Sequence, residues 1–320
     1  MAGNQFAKYI KLIDLFRSAS DGHLSFDEID ALWRSSYVGE GQPLAKRTFH
    51  NYRDAIFDTF GLKIELDKSW SHYKYHIVES ENNLHGNSIR SWAMESFSIL
   101  NQLNSDKSLE DKIQYEETPS GSKWPIILLK AIGESKVVEM TYHKFGDPAP
   151  NTFKVEPYLL KVSNRRWYVV VRALHYVQMN EQLKKEGKLD ELKDTIRVYS
   201  LDRIKNIEIL DEKFKPNKNF NSKEYFDGSV GVYSSGAPKQ KVVIRAYDKA
   251  RDYMETLPFH HSQKIESKTN DYTDFSITVR PTFDFKQLIL QQGTQVEVLS
   301  PDSLRNEIKE IITKMLERYK

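Results

Sequence analysis

The spacing of apolar residues changes near Lys136, and that change restricts the fold more than any other feature of the chain. Before it, apart from one short hairpin, hydrophobic residues recur at helical spacing; after it they alternate, as strands require. Helices gathered before strands point to an α+β arrangement rather than a repeating βαβ one. A chain of 320 residues exceeds one small core, so two or three domains are expected.

The first stretch places Phe6, Tyr9, Ile10, Ile13, Leu15 and Phe16 in a helix over 5–19, ended by Asp21-Gly22. Ser25 with Glu28 three residues later is a capping box opening a short helix with Ile29, Leu32 and Trp33. A turn over 39–43 precedes a third helix, 44–60, with Phe49, Tyr52, Ile56, Phe57 and Phe60 directed inward and Gly61 as its stop. Segments 62–66 and 73–77 alternate as two strands joined by 67–72. Three helices and a two-stranded wing make residues 1–80 a winged helix-turn-helix, expected to bind DNA.

A polar stretch at 80–88, an amphipathic helix at 88–103 carrying Trp92, Phe97, Leu100 and Leu103, a loop at 104–122 and a helix begun by Pro125 form a helical linker, 81–135. Strand patterns fill 136–235, interrupted by a charged, helix-forming insertion at 174–195, and resume as one run over 195–210. Residues 236–320 mix strands and helices as a small α+β domain.

Several classes of function are set aside. The absence of cysteine excludes disulfides, thiolate metal sites and cysteine nucleophiles. No apolar run approaches the roughly 18 residues of a membrane span, and the first residues lack a signal-peptide core, so a cytoplasmic protein without membrane contact is expected. No phosphate loop, His-Glu-x-x-His or dinucleotide fingerprint occurs, so neither an enzyme nor a cofactor is expected. The adjacent His260 and His261 would face opposite ways on a strand, and no metal site is expected. A net charge of +2 says nothing about nucleic acid, so any such reading rests on local clustering.

That clustering occurs twice. Residues 41–53 contain no acid yet carry Lys46, Arg47, Thr48, His50, Asn51 and Arg53, the side chains a recognition helix uses on base edges and phosphates. The acids lie on the preceding helix, as Asp27, Glu28 and Asp30. Lys68, Trp70, His72 and Lys74 fall at or near the wing tip. A solvated helix face in a protein-interaction module is the alternative for these residues.

The second acid-free stretch, 157–180, sets Lys161, Arg165, Arg166, Arg172 and His175 among Tyr158, Trp167, Tyr168 and Tyr176. Alternation sends Trp167, Val169 and Val171 to one face and Arg166, Tyr168, Val170 and Arg172 to the other. Guanidinium forks beside a tyrosine suit an anion or nucleotide. Arg197, Tyr199 and Arg203 share a parity in the returning run, and Tyr142 and His143 join them by strand geometry. A barrel surface with solvated or paired arginines is the alternative, and Asp202 with Arg203 suits structural pairing as well.

The winged helix followed by Arg-Arg-Trp-Tyr-Val (165–169) and Arg-Val-Tyr-Ser-Leu-Asp-Arg-Ile (197–204) resembles the WYL-domain transcription regulators of bacteria. Lys46-Arg47-Thr48-Phe49 and Arg53-Asp54 are similar to the third helix of that family's DeoR-like winged domain, and 293–305 with the final helix resembles its C-terminal extension. Val169 stands where the family has leucine, and the insertion at 174–195 lengthens a normally short connection. The resemblance implies an SH3-like or Sm-like barrel, a nucleotide, oligonucleotide or other anionic effector, and a homodimer acting on a double-stranded DNA operator. Its matching basic and aromatic positions are Arg166, Tyr168, Arg197, Tyr199 and Arg203. The competing expectation is a nucleic-acid-binding accessory component of a phage-defence or DNA-processing complex.

Overall fold

The computed structural model describes the chain except residues 1, 70–72, 79–92, 94–95, 101–102, 104–106, 113–122, 218–219 and 234–236. Trp70, His72, Trp92, the linker at 80–88 and most of the loop at 104–122 lie outside the described residues. The chain divides into two compact units, 1–116 and 117–320.

In the first unit, α1 (Ala2–Ser18), α2 (Phe26–Arg34) and α3 (Lys46–Phe60) enclose a core of Ile10, Ile13, Phe16, Ile29, Phe49 and Ile56, all buried. The capping box forms: Glu28 N–H donates to Ser25 Oγ at 3.3 Å, and Ser25 N–H donates to Glu28 Oε2 at 2.7 Å. α3 ends where Gly61 adopts the left-handed region (φ 71°) and its N–H donates to the Phe57 carbonyl, a conformation that favours glycine. Phe57, expected inside, is 52% exposed. Phe49, Tyr52, Ile56 and Phe60 already complete the inward stripe, and Phe57 sits about 100° round the axis from Ile56.

The expected hairpin has a third strand. β1 (His23–Leu24) pairs with β3 (Lys74–Val78), which pairs with β2 (Lys63–Asp67), giving the order β1-β3-β2. Two residues are too few to show alternation, so β1 leaves no periodic trace.

The second unit opens with α4 (Trp124–Glu134), Pro125 in its first turn. It packs on a five-stranded antiparallel sheet of β4 (Lys136–Tyr142), β5 (Asn151–Ser163), β6 (Arg166–Ala173), β7 (Ile196–Ser200) and β8 (Ile204–Lys213), ordered β7-β6-β5-β4-β8. The run expected over 195–210 is broken by a 3₁₀ turn, Leu201–Arg203. β7 and β8 are opposite edges of the sheet, yet only that turn joins them. Edges of a flat five-stranded sheet lie about 19 Å apart, whereas the chain from residue 200 to 204 reaches about 14 Å. The sheet is therefore curled. His143 N–H donating to the Arg203 carbonyl at 3.2 Å and the Tyr142 hydroxyl 3.3 Å from Ser200 Oγ hold its ends together.

The helix α5 (Leu174–Lys185) occupies the charged insertion, and α6 (Ser222–Tyr225) follows the curled sheet. A four-stranded antiparallel sheet completes the unit, ordered β10-β11-β9-β12, from β9 (Gln240–Tyr247), β10 (Lys264–Lys268), β11 (Tyr272–Val279) and β12 (Val296–Ser300). α7 (Asp248–Thr256), α8 (Phe283–Gln291) and α9 (Asp302–Glu317) cover its buried face of Val242, Ile244, Phe275 and Ile277. Helices and several antiparallel sheets make this an α+β chain. Among the described residues no helix is long and apolar enough to cross a membrane.

Candidate nucleic-acid interface and basic sheet site

The first turn of α3 is open to solvent. Lys46, Arg47, His50 and Asn51 are exposed, Thr48 is half-buried, and no acid lies in that turn. Lys46 Nζ stands 5.3 Å over the Phe26 ring, which steadies the side chain at the helix start. The α2 acids are largely engaged. Glu28 closes the capping box, and Asp30 accepts from Arg34 and, at 2.7 Å, from the Leu44 N–H. Those bonds, Arg34 first, hold the Asp30 carboxyl below its ordinary range. The positive end of the α3 dipole thus adds to unopposed cations.

The other predicted contacts are more dispersed. Arg53 lies two turns beyond Lys46, about 10 Å along the axis, with Nε 3.6 Å from Asp54 Oδ1. Lys68 is exposed in the turn after β2. Lys74 opens β3, but its Nζ lies 3.4 Å from Asp21 Oδ2 and is directed at the turn after α1.

In the curled sheet, the register separates residues expected together. Tyr199 pairs with Val169 and Arg197 with Val171, whereas Tyr168 pairs with Ser200 and Arg172 with Ile196. Directly paired residues share a face. Arg197 and Tyr199 therefore lie on the side of Trp167, Val169 and Val171, and Arg166, Tyr168 and Arg172 on the other. The five residues matching the family pattern do not form one basic face.

On the first side, five rings follow one another. Tyr142 meets Tyr199 at 4.7 Å between centroids, Tyr199 meets Phe153 at 5.5 Å, Phe153 meets His175 at 5.0 Å, and His175 meets Tyr176 at 4.1 Å. Arg197 stacks on Tyr176 at one end, 4.5 Å from its centroid. Arg203 stacks at the other, 4.9 Å from the Tyr142 centroid and 3.7 Å from that of Phe145. Arg203 Nε donates to the His143 carbonyl at 3.0 Å, while His143 Nε2 lies 3.1 Å from the Asp147 carbonyl. Two buried polar atoms here, Arg203 Nη2 and His175 Nδ1, have no hydrogen-bond partner among the described residues. Burial, with Arg197 adding to it, lowers the His175 pKa, so its ring favours the neutral form; burial raises that of Tyr199.

On the second side, the cations are paired. Arg166 Nε is 3.4 Å from Asp202 Oδ1. Arg172 Nη1 lies 3.3 Å from both oxygens of the buried Glu156, which also accepts the Tyr158 hydroxyl at 2.9 Å. Val170, between Tyr168 and Arg172, is fully buried, so this side is no open barrel surface. Burial raises the Tyr168 pKa, against the nearby Arg166.

Sequence reasoning missed Glu156 as the partner of Arg172, and Phe153 as the centre of the ring series. It placed His175 and Tyr176 in the acid-free stretch without assigning them to the site. His260 and His261 lie in a turn between α7 and β10, with His260 Nδ1 2.8 Å from Ser262 Oγ.

Residues 127–209 match the WYL domain and residues 238–316 the WCX domain. No curated protein matches the chain. Among solved structures the chain is similar to Proteasome accessory factor B/C (PafBC) of Arthrobacter aurescens, with 15% identity and a TM-score of 0.35, over 95% of this chain and 45% of that one. It is also similar to a CRISPR Cas-related protein, with 10% identity and a TM-score of 0.36, over 98% of this chain and 85% of that one. The chain thus spans less than half the length of the PafBC structure. The curled sheet, β4 to β8, is where the chain matches the WYL domain, and the four-stranded sheet with α7 to α9 is where it matches the WCX domain.

Proposed function

We propose that this chain is a sequence-specific DNA-binding transcription regulator whose grip on its operator is adjusted by an anionic effector. Residues 1–80 act as a DeoR-like winged helix-turn-helix, with α3 in the major groove and Lys68 beside the phosphate backbone. The observation that carries the reading is the first turn of α3: Lys46, Arg47 and His50 exposed, no acid among them, and Glu28 and Asp30 held in local bonds. The chain works as a homodimer, one winged helix on each half-site.

The effector is a nucleotide or short oligonucleotide, and it binds the curled sheet, an SH3-like or Sm-like barrel in this reading. The side bearing Arg197 and Arg203 suits it better than the side bearing Arg166 and Arg172, whose charges Asp202 and Glu156 oppose. Arg203 Nη2 and His175 Nδ1 are the groups an anion and its hydrogen-bonding rim would satisfy. Effector binding shifts the dimer between arrangements that fit the operator differently.

The test begins with an operator selected from random duplexes and followed by fluorescence anisotropy. The paired change Lys46→Ala and Arg47→Ala should weaken binding at least tenfold and flatten the dependence of log K on log salt by about 2. Unchanged affinity and slope would remove α3 from the interface. Arg197→Ala should abolish the response to an oligonucleotide and leave basal operator binding intact; a retained response would misplace the effector site.

A further inference from the structure

The solvent side of the first unit's small sheet brings together three groups of metal-ligating chemistry. His23 of β1 pairs directly with His76 of β3, and Glu65 of β2 pairs with His76 from the other side. Asp67, two residues after Glu65, shares its face. Leu24, Ile64 and Tyr75 take the opposite face, where Leu24 and Ile64 are buried and Tyr75 meets Phe49 at 4.8 Å. One ligand atom each from His23, Asp67 and His76 lies within 4.8 Å of the others. The two imidazoles stack at 4.8 Å between centroids, and His23 Nε2 is 3.8 Å from Asp67 Oδ2.

The surrounding bonds orient these groups as a metal site requires. His23 Nδ1 lies 2.6 Å from the Asp21 carbonyl. In that contact Nδ1 is the donor, and the ring's other nitrogen, Nε2, is turned toward Asp67. Asp67 Oδ1 accepts from the Ser69 N–H at 2.9 Å and from its hydroxyl at 2.7 Å, which fixes the carboxylate and frees Oδ2. His76 Nδ1 is buried without a hydrogen-bond partner among the described residues. A buried imidazole nitrogen without a partner, on a ring stacked against a second imidazole and near a carboxylate, is a group that a bound cation would satisfy.

We propose that His23, His76 and Asp67 bind one divalent transition ion of the zinc type. Two imidazoles and a carboxylate on three paired strands match the three-protein-ligand sphere, with water in the fourth position. Tetrahedral ligands about 2.0–2.1 Å from zinc stand roughly 3.3 Å apart. The ligand atoms therefore need to close by up to about 1.5 Å through side-chain rotation, with the backbone register unchanged. The ion would tie β1 to both strands of the hairpin, β2 and β3. This proposal uses none of the residues that carry the DNA or effector reading, so the two stand or fall separately.

The test uses the tag-free full-length chain, stripped with a chelator and dialysed, then titrated with cobalt chloride and competed with zinc chloride. One equivalent of cobalt should produce a visible d–d absorption band that zinc bleaches. Saturating zinc should raise the melting temperature by roughly 5 °C or more. His23→Ala, His76→Ala and Asp67→Asn should each weaken zinc binding by at least fiftyfold, with His260→Ala unchanged. If an alanine variant loses its far-ultraviolet circular dichroism, His23→Gln, which keeps the size of the side chain, takes its place. Absence of saturable binding, or binding that survives changes at His23 and His76, would overturn the proposal.

Discussion

Lys161 allows a quantitative test of how the curled sheet meets the segment that follows it. Its ammonium donates to the Gly231 carbonyl and stands 3.7 Å over the Phe226 ring. Both contacts favour the charged form, yet burial outweighs them and brings the pKa down to about 8, with Asp284 acting in the opposite direction. In the unfolded chain the amine titrates near 10.4. The gap of roughly 2.5 units corresponds to a ceiling of about 3 kcal/mol. Part of the side chain still reaches water, so about 1 kcal/mol is the expected size. The sign follows from proton counting. Below pH 8 both states hold the proton and the folded chain bears the full desolvation. Between pH 8 and about 10.4 the unfolded chain binds more protons, so stability rises with pH.

Lys161→Met lacks this titration. Thermal unfolding of both proteins at pH 7 and pH 10 should show the wild type gaining about 1 kcal/mol on the variant, or roughly 3 °C for a unit of this size. Competitive acetylation offers a second readout. At pH 7.5 about a quarter of Lys161 is neutral, against roughly 0.1% of an ordinary lysine, so it should label early. A wild-type advantage that is constant or falls with pH, with Lys161 labelling no faster than surface lysines, would refute the reasoning.

Three further outcomes are expected. Glu156→Ala leaves Arg172 and the Tyr158 hydroxyl without their buried acceptor and should destabilise the second unit by about 2–4 kcal/mol, read from urea denaturation. Ser25→Ala removes one half of the capping box and should destabilise the first unit by about 1 kcal/mol, seen as faster amide exchange in α2. Ile312, Met315, Leu316 and Tyr319 form an exposed apolar stripe along and just beyond α9. Leu316→Glu should convert the proposed dimer to monomer in sedimentation, and a persisting dimer would place its interface elsewhere.

Features set by neighbouring residues were legible in the sequence. Ser25 with Glu28 announced α2, Gly61 announced the end of α3, and alternation marked β6, because each depends on a few bonds along one stretch of chain. Features set between strands were not. Asn164 and Arg165, both at positive φ, form the two-residue turn that pairs Ser163 with Arg166. Counting back from that turn pairs Arg172 with Pro157. A bulge between Pro157 and Leu159 moves the register by one and puts Glu156 opposite Arg172 instead. The register of β7 against β6 sends Arg197 to the other side from Arg166, and parity within either strand alone cannot reveal this. His23, Asp67 and His76 escaped notice for the same reason: they are far apart in sequence and meet only through strand pairing.

The turn Leu201–Arg203 that joins the two edges of the curled sheet also governs how that sheet can deform. β7 and β8 are not paired with each other, so the seam between them is the line along which the curl can open. At the end where the turn joins them, the edges can separate no further than the span of that turn. Arg203 sits in that turn and stacks on Tyr142, at the end of β4, and on Phe145 beyond it. A load placed on its guanidinium therefore acts at the one end where β7 and β8 are tethered, where the length of the chain bounds how far they can part.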